Sequence, residues 1–244
     1  MLILLDIGNT RTKFCFIDKG IRSAQQAVLN DLISNTFLND NFRGATKLLV
    51  ASVSNKEVTD KIDVWCRNNN VIYQQIYSEI KKGKVNSGYK DPNQLGVDRW
   101  LALLGGAKRY PNKNILIIDA GTATTIDFLK ASGQHEGGWI LAGIKVLISS
   151  VLSETTQVKA NQVEKESLVF GLNTSENVHN AAWAATVGAI QLAISNIEKQ
   201  GDILDEVIIT GGNGISLARL MAHKTTIITE LVFDGLETYI EPIK

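Results

Sequence analysis

Two stretches of this chain combine an acid, a glycine bend and a set of hydroxyl and amide donors, the pattern that suits a bound phosphate. In Asp6-Ile7-Gly8-Asn9-Thr10-Arg11-Thr12-Lys13, a glycine bend after an apolar strand can aim several backbone N–H groups at one anion, because glycine adopts the positive φ values that such a nest uses. Asn9 and Thr10 add side-chain donors, Arg11 and Thr12 complete the loop, and Lys13 supplies a point charge for a phosphate chain. Asp6, at the end of the strand, is placed to hold Mg²⁺ through water. The same residues also make an ordinary hairpin turn, in which Gly-Asn suits the bend and Asp6 accepts a backbone hydrogen bond. Asp119-Ala120-Gly121-Thr122-Ala123-Thr124-Thr125 repeats the design with an acid, a glycine turn and a run of hydroxyls. Competing nucleotide signatures are missing: the sequence has no GxxxxGK[ST] and no GxGxxG after a strand.

A third set of residues could serve an acceptor rather than a phosphate. It runs Gly88-Tyr89-Lys90-Asp91-Pro92-Asn93-Gln94-Leu95-Gly96-Val97-Asp98-Arg99-Trp100. Adjacent residues on a helix point in different directions, so Asp98 and Arg99 can do separate jobs, one taking a proton and one facing an anion. An adjacent acid and base on a helix also make a plain solvated surface pair. Val207-Ile208-Ile209-Thr210-Gly211-Gly212-Asn213-Gly214 reads as a strand entering a glycine-rich helix start, which serves either a nucleotide or an ordinary turn and cap.

The elements that must hold these residues follow from hydrophobic periodicity. Strands are expected over 2–7, 13–17, 47–53, 71–76, 114–119, a run ending at 129, and 206–210; helices are expected over 93–109, 174–199 and 214–223. Asn93 is placed to cap its helix, and 81–92, with four lysines, two glycines and a proline, reads as a mobile loop. Strands alternating with helices imply a largely parallel α/β sheet covered on both faces. The repeat of an acid-ending strand and Gly-Thr turn near mid-chain implies an internal duplication into domains 1–112 and 113–244.

Composition narrows the function classes. With 244 residues, 44% of them hydrophobic, the chain buries a real core. Twenty-five basic residues balance twenty-five acidic ones, which removes the broad basic surface that nucleic acid requires. No run of eighteen apolar residues exists to span a membrane, and the apolar start ends at once in Asp6. Cys15 and Cys66 lack the spacing of a zinc or redox motif and read as buried, reduced thiols of a cytoplasmic protein. His135, His179 and His223 lie outside the motifs and read as structural or surface residues.

Taken together, the three sets resemble the signatures of type III pantothenate kinases: DxGNTxxK at Asp6, GY followed by GxDR at Tyr89 and Gly96 to Arg99, and DxGTA at Asp119, in the family's order over essentially the whole chain. The resemblance implies an α/β fold of duplicated ribonuclease H-like (actin-like ATPase) domains, with mixed sheets, helices on both faces and a nucleotide cleft between them. It implies transfer of the γ-phosphate of ATP to the primary hydroxyl of pantothenate, giving 4′-phosphopantothenate at the start of coenzyme A synthesis. Mg²⁺ and a monovalent cation, K⁺ or NH₄⁺, are implied with it. Asp98 would be the general base; a carboxylate is a weak base, but a loose phosphoryl-transfer transition state asks more for positioning than for early proton removal. Tyr89, Gly96, Val97, Asp98 and Arg99 would contact pantothenate. Gly8 to Lys13, Gly121 and Thr122 would contact ATP, the Gly211 to Gly214 motif its adenosine, and Asp119 the monovalent cation. Thr174 stands where the family reaches the pantothenate of a neighbouring subunit, implying a homodimer with sites at or near the subunit interface. Thr174, or Asn173 with Glu176, is equally a natural helix N-cap. The chain departs from the family at Ala142, where proline is usual in GG-x-I-x-P-G, and at Ala181 and Ala185, where glycines are expected. A kinase of the same fold acting on a sugar, on acetate or on an N-acetylhexosamine, and a non-catalytic nucleotide-binding accessory protein, are the competing readings.

Overall fold

A computed structural model describes residues 1–53, 56–154, 161 and 165–240. The chain forms two compact units, one of 1–83 with 89–108 and the segment from Glu230 onward, the other of 84–88 with 109–229. Relative to a division into 1–112 and 113–244, three segments change sides: 84–88, 109–112 and the one from Glu230 onward.

The secondary structure runs β1 (Leu2–Ile7), β2 (Arg11–Asp18), β3 (Ile21–Arg22), β4 (Gln26–Leu29), α1 (Asn35–Phe42), β5 (Lys47–Ser52), α2 (Lys56–Asn68), β6 (Ile72–Gln75), β7 (Lys81–Lys82), β8 (Val85–Asn86), α3 (Val97–Arg109), β9 (Ile115–Ala120), β10 (Ala123–Leu129), β11 (His135–Ala142), α4 (Ile144–Glu154), α5 (Thr174–Lys199), β12 (Glu206–Thr210), α6 (Gly214–Leu220), β13 (Thr226–Ile227) and α7 (Leu231–Leu236).

In the first unit the sheet order is β3-β2-β1-β5-β6, with β4 also pairing β2. β1 and β2 are antiparallel, while β1, β5 and β6 run parallel. β1 is buried almost throughout because it lies in the middle of a covered sheet, and its Ile3, Leu5 and Ile7 pack with Leu38, Phe42, Ile62 and Trp65 of α1 and α2. Phe14 and Phe42 meet edge to face, with ring centroids 5.3 Å apart.

The second unit has the order β11-β10-β9-β12-β13. β9 is antiparallel to β10 and parallel to β12, which is parallel to β13, so this sheet repeats the strand plan of the first. Its core joins Leu116, Ile118, Ile126 and Ile209 to Trp183, Ile190 and Ile194 of α5. The duplication expected from sequence is therefore present as topology.

Glycine packing accounts for the return of the C-terminal segment to the first unit. A Cβ on Gly235 of α7 would lie 2.1 Å from the Leu101 carbonyl of α3, and one on Gly105 would lie 2.3 Å from the Leu231 carbonyl, so the two helices touch backbone to backbone. Arg22 of β3 reaches the same segment, pairing with Glu230 at 2.9 Å, Asp234 at 2.9 Å and Glu237 at 2.8 Å.

Three local expectations are corrected. The helix over 93–109 is instead a short 3-10 turn over Pro92–Gln94 and then α3, separated by an extended Leu95. Asn93 caps nothing; Asp91 caps the turn, accepting from the Asn93 N–H at 3.0 Å. The segment 81–92, expected as a loop throughout, contains β7 and β8 flanking Gly83, whose φ of +58° suits glycine.

Candidate active site

The β1–β2 turn is built to hold its own shape. The Gly8 N–H donates to the Arg11 carbonyl at 3.0 Å, and a Cβ on Gly8 would sit 3.2 Å from that oxygen, a tight contact that glycine avoids. Neither Gly8 nor Gly121 has the positive φ expected of it. Asn30, after β4, clamps the turn: its Nδ2 donates to the Gly8 carbonyl at 2.8 Å, its Oδ1 accepts from the Thr12 hydroxyl at 2.8 Å, and its N–H donates to the Thr10 carbonyl at 3.0 Å. Thr12 thus points inward and is buried, while Asn9, Thr10 and Arg11 are exposed and Asp6 and Lys13 half-buried. Asp6 and Lys13 stand opposite each other in the ladder.

Still in the first unit, the acceptor segment enters α3 through Gly96, whose carbonyl accepts from the Trp100 N–H at 3.0 Å. A Cβ on Gly96 would come within 2.6 Å of Asp98 Oδ1, so the glycine leaves that carboxylate room to sit where it does. That oxygen accepts from the Arg99 N–H at 2.7 Å, fixing the half-buried carboxylate against the positive end of the helix. Arg99 is only 4% exposed and its Nη1 donates to the Tyr89 hydroxyl at 3.0 Å, which brings Tyr89, Asp98 and Arg99 together. The Val97 side chain is buried in the core, which leaves its backbone for any ligand. Behind the helix, the Tyr239 hydroxyl accepts from Trp100 Nε1 at 3.0 Å and donates to Glu79 at 2.5 Å. Asn30, Glu79 and Tyr239 carried no signal in the sequence, because each acts from a distant position.

In the second unit the β9–β10 turn is shorter, with the Gly121 N–H donating to the Ala123 carbonyl at 3.0 Å. Asp119 stands opposite Thr125, a hydroxyl, where Asp6 faces a lysine. Gly211, with φ +87°, lies against this strand: a Cβ there would fall 2.4 Å from Asp119 Oδ1. The Asn213 N–H then donates to the Ala120 carbonyl at 2.9 Å, so the glycine motif and the acid-bearing turn form one cluster. Thr122 is held from the other side, its carbonyl accepting from the Gly143 N–H at 3.0 Å just past Ala142. Thr174 opens α5, but the cap is Asn173, whose Oδ1 accepts from the Glu176 N–H at 3.0 Å, leaving the Thr174 side chain exposed.

Among the described residues no group of three or more His, Cys, Asp or Glu side chains could cage a metal ion, and no helix is long and apolar enough to cross a membrane.

Known proteins match this chain in sequence and in fold. The family model for type III pantothenate kinases matches residues 2–196. A type III pantothenate kinase of Colwellia psychrerythraea is 46% identical, covering 98% of this chain and all of that one. Another, from Idiomarina loihiensis, is 32% identical over 96% of this chain and 97% of its own. Among solved structures, a protein described as a Baf family transcriptional activator from Campylobacter jejuni aligns at TM-score 0.61 and 22% identity, covering 96% and 95% of the two chains. One described as a 2-dehydro-3-deoxygalactonokinase from Sinorhizobium meliloti aligns at TM-score 0.64 and 12% identity, over 100% and 98%. These two likenesses are of fold alone.

Proposed function

This chain belongs to the type III pantothenate kinase family and is an ATP-dependent kinase, and we propose how its residues divide the reaction. The observation that carries the proposal is the Asp98 carboxylate, held at the start of α3 by the Arg99 N–H and given room by Gly96. Asp98 takes the proton of the pantothenate primary hydroxyl as that oxygen bonds to the γ-phosphorus and the bond to the bridging β,γ-oxygen breaks, giving 4′-phosphopantothenate and ADP. Tyr89 and Arg99, joined to each other, and the backbone of Gly96 and Val97 orient the acceptor.

The phosphates of ATP engage both turns: Gly8, Asn9, Thr10, Arg11 and Lys13 from the first, Gly121 and Thr122 from the second. Thr12 serves by bracing the turn through Asn30. The lack of a three-ligand cage among the described residues fits Mg²⁺ carried mainly by the nucleotide, with Asp6 reaching it through water. Bound there, Mg²⁺ would neutralise charge on the transferring phosphoryl group. Asp119, across from the Thr125 hydroxyl and beside Gly211, offers the oxygen donors that suit K⁺ or NH₄⁺.

A homodimer is part of the same proposal. Thr174, Ala181, Ala185, Gly188 and Leu192 recur at helical spacing along one exposed face of α5, a seam along which Thr174 would reach a partner's pantothenate. Buried, reduced Cys15 and Cys66 agree with a cytoplasmic setting. A coupled assay with pantothenate, ATP, Mg²⁺ and K⁺ each omitted in turn tests the reading. Turnover requiring all four is expected, and ADP release with a hexose but not with pantothenate would refute it.

A further inference from the structure

The reaction as assigned makes no use of one deeply buried polar pair in the second unit. His135, fully buried at the start of β11, and Asp127 of β10, 3% exposed, meet at 2.9 Å through Nε2 and Oδ1. The other ring nitrogen, Nδ1, accepts from the Gly88 N–H at 3.4 Å. An accepting Nδ1 carries no proton, so the proton sits on Nε2 and is donated to Asp127. Asp127 therefore fixes the tautomer that lets His135 hold Gly88, as outer carboxylates fix ligating histidines.

Gly88 ends a strap, 84–88, seated on the second unit by several independent contacts. The Asn86 N–H donates to the Gly133 carbonyl at 2.8 Å, and Asn86 bridges Gln134. A Cβ on Gly133 would fall 2.0 Å from the Lys84 carbonyl, and one on Gly88 would fall 2.3 Å from the His135 carbonyl. The backbones touch at both ends of the strap, and His135 closes its last residue. The next residue is Tyr89, whose hydroxyl accepts from Arg99 beside Asp98.

We propose that His135, oriented by Asp127, is a positioning residue for pantothenate: it fixes the Gly88 backbone from which Tyr89 projects, and so sets acceptor binding without touching the reactants. The proposal rests on the reading of Tyr89 as a pantothenate contact. Two substitutions separate its parts. His135→Gln keeps a donor near the Nε2 position for Asp127 but removes the acceptor facing Gly88, whereas His135→Asn keeps an acceptor near the Nδ1 position and abandons Asp127.

Steady-state kinetics should show KM for pantothenate raised about three- to tenfold in His135→Gln, the loss of one modest hydrogen bond, with kcat and KM for ATP unchanged. His135→Asn should keep a KM for pantothenate near wild type although it melts earlier. A merely structural pair would move both variants together, in proportion to lost stability. An unchanged pantothenate KM in His135→Gln, or equal rises for ATP and pantothenate, would overturn the proposal. Should His135→Gln not fold, Gly88→Ala supplies the same test, since its Cβ would displace the strap while sparing the His135–Asp127 pair; a pantothenate KM equal to wild type would again overturn it. Wild-type enzyme inactive on pantothenate would instead defeat the functional reading itself.

Discussion

The two units share one strand plan and load it differently. In the first, the acid-ending strand meets a built-in cation, Asp6 opposite Lys13, and the turn is clamped from behind by Asn30. In the second, the equivalent acid stands opposite Thr125 and is crowded by the Gly211 backbone. A duplicated scaffold thus reuses the strand, the acid and the glycine bend, while the position across the ladder carries a cation in the first unit and a hydroxyl in the second. The first unit also carries the one carboxylate assigned to proton transfer, so chemistry and nucleotide grip are unevenly divided.

Removing the base from the first unit should have the largest effect. Asp98→Asn keeps the shape of the side chain but loses the proton acceptor, and kcat should fall about 10²- to 10⁴-fold with ATP affinity retained in a binding titration. Next come the two ladder positions, which break the comparison if they respond alike. Lys13→Met should raise KM for ATP about 10- to 100-fold, the scale of one charged hydrogen bond. Thr125→Lys makes the second turn resemble the first, and the variant should lose its response to added K⁺ in an activity titration; persistence of that response would separate Asp119 from the ion.

A smaller contrast concerns alkaline stability. Burial pushes the thiols of Cys15 and Cys66 up from 9.0 to about 12, and both lie in the first unit. A thiol harder to ionise in the fold than in the open chain contributes stability that is complete below pH 9 and lost as pH rises from about 9 towards 12. Amide exchange should therefore accelerate in the first unit's β1, β2 and α2 before the second unit's β9 and β12 over that range. Replacing both cysteines by alanine should flatten the difference, and simultaneous loss of protection in both units would contradict it.

Much of this was legible in sequence where one segment carried the whole signal. β1, β9 and β12 are short apolar runs bounded by acids and glycines, and α5 spans its expected 174–199 because its core-facing residues repeat at helical spacing. The site was legible in its acids and glycines, but not in their supports. Asn30 reaches Gly8 from 22 positions away and Tyr239 reaches Trp100 from 139, distances over which no local pattern reports. The start of α3 was misplaced because Gly96 answers to the Asp98 carboxylate rather than to helix propensity, and a cap at Asn93 would have run the helix through it. β11 was overlooked because its central residues, from Glu136 to Ala142, are largely exposed and include the flexible Gly137-Gly138 pair, so neither burial nor alternation marks it as a strand.

The central claim is that these turns bring a phosphoryl donor to a primary alcohol. Phosphorus NMR of the enzyme with ATP, Mg²⁺, K⁺ and pantothenate tests it most directly. The γ-phosphate signal of ATP should give way to equal amounts of ADP and a phosphomonoester coupled to the methylene protons of the pantothenate primary alcohol. Appearance of inorganic phosphate alone, or no loss of ATP with that acceptor, would contradict the account.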